Sequence, residues 1–255
     1  MKVHLFAAAL LLAPLSSHAA TANNDLNGVW KISKPQSAFV PLDGPIPFTA
    51  EGEKAYAQNK AALAKSDFSY DNTQSRCSLP GTPRMSLTPM PFRLWVRPSE
   101  VVFEYQWNRQ YRTVDMVQPR AVKFDEDWIR VLRTGVTPNP INPPLTGTSL
   151  GIGQGHWEGK TLVIESRYFS DSTLIDDLVP HDYDMVVEER WSLIDPKTLR
   201  DQITISDPAF FTRPWHTQVT YRRQPDMGFT EDVCLDRHDA GQMPLPITAD
   251  EKHLR

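Results

Sequence analysis

Cysteine is scarce, with 2 in 255 residues, which excludes a fold held by a dense disulfide framework. There is no surplus of positive charge either: 27 Lys and Arg against 31 Asp and Glu leave a net charge of -4. No basic field is available to draw in phosphate backbones, so nucleic acid is not an expected partner. Long apolar runs are missing after the first residues. The stretch Leu5 to Leu15 falls short of the roughly 20 residues that cross a bilayer, and stable membrane insertion is not expected. Internal repeats are absent. So is any H-x-x-x-H or C-x-x-C spacing, and neither a metal nor another cofactor is expected.

What is present begins with the marks of export. Met1-Lys2-Val3-His4 sets a positive charge ahead of the apolar run, and the small residues Ser17, Ala19 and Ala20 follow it. This layout predicts a signal peptide over residues 1–19, with cleavage after Ala19 or Ala22. Residues 20–255 then form one β domain, a size at which such a domain buries a real core. A periplasmic or secreted chain meets oxidising conditions, and a disulfide between Cys77 and Cys234 is the natural reading. It would tie an early loop to the last strand and stabilise by about 3–5 kcal/mol on a chain-entropy model. Free or metal-binding thiols are the rival.

Leu26 to Ile32 reads as a first strand, ended by the prolines through Pro45 and Pro47. One helix is expected from Thr49 to Lys65, with Thr49 as its cap and Glu51 and Glu53 at its positive end. Short β-branched and aromatic runs follow between turns: Phe92 to Arg97, Val101 to Trp107, Tyr111 to Val117, Ile129 to Arg133, Thr161 to Tyr168, Met185 to Ile194, Leu199 to Ser206, Thr217 to Arg223 and Phe229 to Leu235. That many strands can close an antiparallel β-barrel. The Pro- and Gly-rich link from Thr134 to Gly159 reads as neither central strand nor helix, and its length suggests a lid.

Period-two alternation puts Val101, Phe103, Tyr105 and Trp107 on one apolar face and Glu104 on the other. The same split leaves Glu165, Arg167, Glu188 and Arg190 on mixed faces of later strands. These charges either form a solvated outer wall or meet inside the barrel. An interior set, with Arg109 and Arg112, would need compensating pairs or a ligand to complete it.

Several local motifs fail their own requirements. Gly147-Thr148-Ser149-Leu150-Gly151 has the G-x-S-x-G form of a hydrolase elbow, but neither the strand before it nor the helix after it is expected. Gly151 to Gly155 has the wrong spacing for a dinucleotide loop. His181, flanked by Asp176, Asp177, Asp182 and Asp184, is either a general base with a raised pKa or an exposed loop histidine. Asp207 to Trp215 is a compact aromatic turn that reads as a plug at one barrel end, or else as a ligand wall.

Taken in order, Gly28-Val29-Trp30, Gly147-x-Ser149-x-Gly151, Trp157-Glu158-Gly159-x-Thr161-Leu162-Val163, Glu189-Arg190 and Asp207-Pro208 to Phe211-Thr212-x-Pro214-Trp215 resemble a family of exported bacterial β-rich proteins of unknown function. The resemblance implies no reaction. The Gly28-x-Trp30 triplet is also similar to the first strand of lipocalin-like barrels, where the tryptophan closes the barrel end. Two functions follow as expectations. In the first, the barrel binds an apolar or aromatic small molecule, with Trp30, Tyr105, Trp191 and Trp215 as walls and Arg112 fixing an anionic or carbonyl end. In the second it is a cofactor-independent lyase, isomerase or hydrolase, with His181 or one of Glu104, Glu188 and Glu189 moving a proton and Arg109 or Arg190 holding an oxyanion. The sequence leaves the oligomeric state open.

Overall fold

A computed structural model of the chain describes residues 24–116 and 147–245. Nine strands form a closed barrel in sequence order: β1 (Gly28–Ile32), β2 (Phe92–Val96), β3 (Glu100–Tyr105), β4 (Gln110–Asp115), β5 (Ile152–Glu158), β6 (Thr161–Arg167), β7 (Val186–Asp195), β8 (Thr198–Ser206) and β9 (Trp215–Arg223). The ring closes where β1 pairs with β9, for example Trp30 with Arg223. An odd number of strands cannot alternate direction all the way round, so the expected antiparallel pattern fails at one place. There β4 runs parallel to β5, through Val114 with Gly153 and Asp115 with Gln154.

The turns follow local chemistry. Between β7 and β8, the Asp195 carboxylate accepts the Lys197 N–H at 2.7 Å, which fixes the reversal. Between β5 and β6, Gly159 takes the positive φ of 60° that a tight hairpin asks for. Strand alternation then sorts the side chains. Leu199, Asp201, Ile203 and Ile205 of β8 are buried toward the axis, opposite Tyr221, Val219, Thr217 and Trp215 of β9. Rings fill much of the interior: Phe92, Phe103, Tyr105, Trp191 and Tyr221 touch one another with centroids 5.0–6.2 Å apart.

The expected helix is α1 (Ala50–Leu63), capped by Thr49, whose side chain accepts from the Gly52 N–H. Its first turn is seated on the aromatic turn before β9, where Thr49 donates to Phe210 O at 2.9 Å. A Cβ at Gly52 would lie 2.2 Å from that carbonyl, so the approach needs glycine there. Phe48 and Trp215 both pack on Phe211, which makes the turn an aromatic plug against α1's approach. Two shorter helices are α2 (Asn72–Arg76) and α3 (Cys234–Asp239).

Cys77 and Cys234 are disulfide-bonded, with Cα atoms 5.8 Å apart. Cys234 opens α3 rather than a last strand, because Phe229 to Leu235 pairs with no strand. The segment's alternation is real, but β9 already bonds to β8 and β1 on its two sides and leaves no edge free. A second correction concerns the Pro- and Gly-rich link, whose last part is β5. Gly153 and Gly155 face inward on that strand, and a Cβ at Gly155 would sit 3.1 Å from Val114 of β4. Glycine is tolerated in this strand because neighbouring side chains fill its space. The signal peptide, the strand Ile129 to Arg133 and the first part of the proposed lid lie outside the described residues.

Candidate functional site

Among the described residues the interior carries one guanidinium and two carboxyl side chains, one from each of three strands. Arg112 of β4 is 3% exposed, and Glu189 of β7 and Asp201 of β8 are fully buried. Arg112 grips Glu189 with both terminal nitrogens, one of them at 2.9 Å, and also donates to the Ser166 hydroxyl at 2.9 Å. The ion pair thus spans the barrel from β4 to β7. A bidentate, hydrogen-bonded pair of this kind is the form in which buried charge is tolerated.

Asp201 has no such partner. Neither of its oxygens makes a hydrogen bond, and the indole N–H of Trp191, directly across from it on β7, is unpartnered as well. The backbone N–H of Arg190 eases its charge slightly without forming a hydrogen bond of good geometry. Burial, and then the nearby Glu189, hold the Asp201 carboxyl well above the usual carboxylate range. The Tyr105 and Tyr221 hydroxyls share this environment. Burial raises both, and Tyr221 donates to Ser86 O at 3.0 Å.

Of the residues expected to bind a ligand, Tyr105, Arg112 and Trp191 come together in this interior, each buried. Trp215 is buried further along the barrel, opposite Ile205, with an unpartnered indole N–H. Trp30 is at the closure, where its indole donates to Leu26 O at 2.9 Å and the Arg223 guanidinium lies over its ring at 4.2 Å.

The residues expected to do chemistry are not brought together. Glu104 faces outward from β3, where Arg93, Trp95 and Tyr111 all donate to its carboxylate. Glu188 and Arg190 face outward from β7, and Arg190 is paired with Glu158. Glu165 and Arg167 likewise pair on the outer wall at 2.7 Å. Arg109 is exposed in a 3-10 turn before β4. The bland reading of a solvated face therefore holds for Arg109, Glu165, Arg167, Glu188 and Arg190, whereas Glu104 is buried beneath its three donors and Arg112 faces inward.

His181 differs from both readings of it. It is buried in the loop before β7, with Nε2 2.9 Å from the Thr173 hydroxyl and Nδ1 3.0 Å from Asp182 O. Burial lowers its pKa despite the pull of Asp207, Asp171 and Asp182. The imidazole with Nδ1 protonated donates to the Asp182 carbonyl, while the Thr173 hydroxyl beside Nε2 also lies 3.0 Å from Ser170 O. His156 and His216 are exposed.

Sequence reasoning named Glu189 among the acids that could move a proton and missed Asp201 altogether. The signal was present: each is a lone acid on an otherwise apolar alternating face, Glu189 between Val187 and Trp191, Asp201 between Leu199 and Ile203. Outside the barrel, a second buried group joins Arg84 to Asp71 at 2.6 Å and to Asp177 at 2.8 Å. Among the described residues no cluster of three or more His, Cys, Asp or Glu is placed to hold a metal ion, and no helix is long and apolar enough to cross a membrane. No family model, curated protein or solved structure matches the chain.

Proposed function

We propose that this is an exported, lipocalin-like protein of the periplasm or extracellular space, whose barrel binds a small molecule with an apolar or aromatic body. The observation that carries the reading is Asp201: a carboxyl at the barrel centre with no hydrogen bond to either oxygen, beside an indole N–H that also lacks one. A polar group left unmade in a dry interior costs about 1–3 kcal/mol, so such a pair is retained where something else completes it. The surrounding rings of Trp191, Tyr221 and Tyr105 supply an aromatic wall. The disulfide suits an oxidising compartment.

The test is to incubate the processed protein with a small-molecule extract of its own cells and to analyse bound and free compounds by mass spectrometry. A compound retained unchanged by the wild type and lost by Asp201→Asn supports binding at this site. Equal retention by both proteins, or none by either, removes it.

A second reading rests on the two acids. Glu189 is engaged by Arg112 while burial and Glu189 raise the Asp201 pKa, an arrangement in which one group can give a proton and the other hold a charge. Consumption of a compound in the same incubation, lost with Asp201→Asn, would make the protein a cofactor-independent enzyme.

A further inference from the structure

The ligand's chemical class follows from the charge inside the barrel, given the binding reading above. Arg112 and Glu189 cancel each other through their paired contacts. Among the described residues Asp201 is the remaining interior acid, fully buried and with neither oxygen hydrogen-bonded. The groups facing it are Glu189 and Trp191 from β7, Arg112 from β4, Tyr105 from β3 and Tyr221 from β9. Arg112 is already held by Glu189 and Ser166, so among the described residues an ionised Asp201 has no cation of its own.

We infer that the ligand is a monocationic amine, its ammonium group seated against the Asp201 carboxylate beside the Trp191 and Tyr221 rings. A buried carboxylate bordered by π faces is the complement of an ammonium ion, which gains both an ion pair and cation–π attraction there. An anionic ligand would instead meet two acids and a guanidinium already in use. A neutral one would leave the charge deficit to be met by a proton. Trp191 and Tyr221 are stacked with centroids 5.6 Å apart, so an entering ligand replaces ring contacts with contacts of its own.

The binding step balances as follows. The protonated Asp201 carboxyl loses its proton to solvent, and the ammonium, already charged in water, takes its place as the counter-charge. One proton is released per ligand. Affinity therefore rises with pH by up to about tenfold per unit, as long as Asp201 is protonated in the free protein and the amine stays charged.

The experiment is titration calorimetry of the processed protein with 2-phenylethylamine, 2-phenylethanol and phenylacetate, at several pH values and in two buffers of different ionisation enthalpy. The amine alone should bind, with close to one proton released and affinity climbing with pH. Asp201→Asn should weaken it by about 100-fold or more, and Glu188→Gln, on the outer wall, should not. Equal binding of the alcohol, binding of the amine without proton release, undiminished binding by Asp201→Asn, or no binding of the amine would each overturn the amine class. Retention from cell extract of a neutral or acidic compound, lost in Asp201→Asn, would also overturn it while leaving the binding reading intact. No retained compound of any kind would remove both.

Discussion

Arg112 reaches across the barrel to place two guanidinium nitrogens on the two carboxylate oxygens of Glu189, a residue 77 positions away in the sequence. The pair ties β4 to β7 through the interior, while along the wall β5 and β6 separate them even by the shorter way round. Removing one partner leaves the other buried and uncompensated. Arg112→Met should therefore destabilise by about 3–5 kcal/mol in urea unfolding. The double variant Arg112→Met/Glu189→Met should recover most of that loss. A double variant as unstable as the single one would show that packing, and not charge, sets the cost.

The Cys77–Cys234 bond closes a span of 157 residues. Its reduction should lower stability by about 2–5 kcal/mol, measured as the shift of the urea midpoint with and without reductant. No shift would mean that the contacts of α2 and α3 hold their segments without the bond.

At the barrel's closure, Arg223 covers Trp30 and donates to Asn27 O at 2.6 Å, Asp25 O at 2.7 Å and Pro196 O at 2.9 Å. Arg223→Ala removes all four interactions and should cost about 2 kcal/mol in thermal or urea unfolding. Arg223→Lys should restore little, since a point charge cannot span three carbonyls and a ring face. Full rescue by lysine would reduce the residue's role to its charge.

Burial raises the Asp177 pKa from 3.8 to about 6, outweighing the pull of Arg84, with Asp176 and Asp71 adding to the rise. An acid whose pKa is raised on folding favours the folded state most when protonated. Its contribution is present below its unfolded pKa near 3.8 and declines as pH rises through about 6. The stability of the wild type relative to Asp177→Asn should accordingly fall by up to about 3 kcal/mol between pH 4 and pH 7. A difference that stays constant, or grows with pH, would place the carboxylate's interaction with Arg84 above its desolvation.

The barrel and the disulfide were legible because they follow from local signals. Alternation in β3, β7 and β8, the capped Ala-rich run of α1 and two cysteines in turn-like surroundings each speak through near neighbours. β5 was hidden by its glycines, whose space is filled by Val114 and Met116 from a different part of the chain. Phe229 to Leu235 alternates like a strand, yet the ring had already closed without it. The candidate site was half visible. Tyr105, Arg112 and Trp191 were marked by residue type, whereas Asp201 shows in the sequence only as a lone acid on an apolar face, and its lack of a partner belongs to its three-dimensional surroundings.

The pairing of the first strand with the last sets the order of events in folding. Trp30 cannot acquire its Arg223 cover, nor the ring close, until β9 has been made and has found β1. Contacts between residues so distant in sequence add little to the equilibrium entropy cost beyond that of a shorter loop, but they slow the search. Until that search ends the barrel has two open edges, each offering unpaired backbone groups to other chains. The interval between synthesis and closure is thus when this protein is most exposed to aggregation, and a shortened β9 would lengthen it.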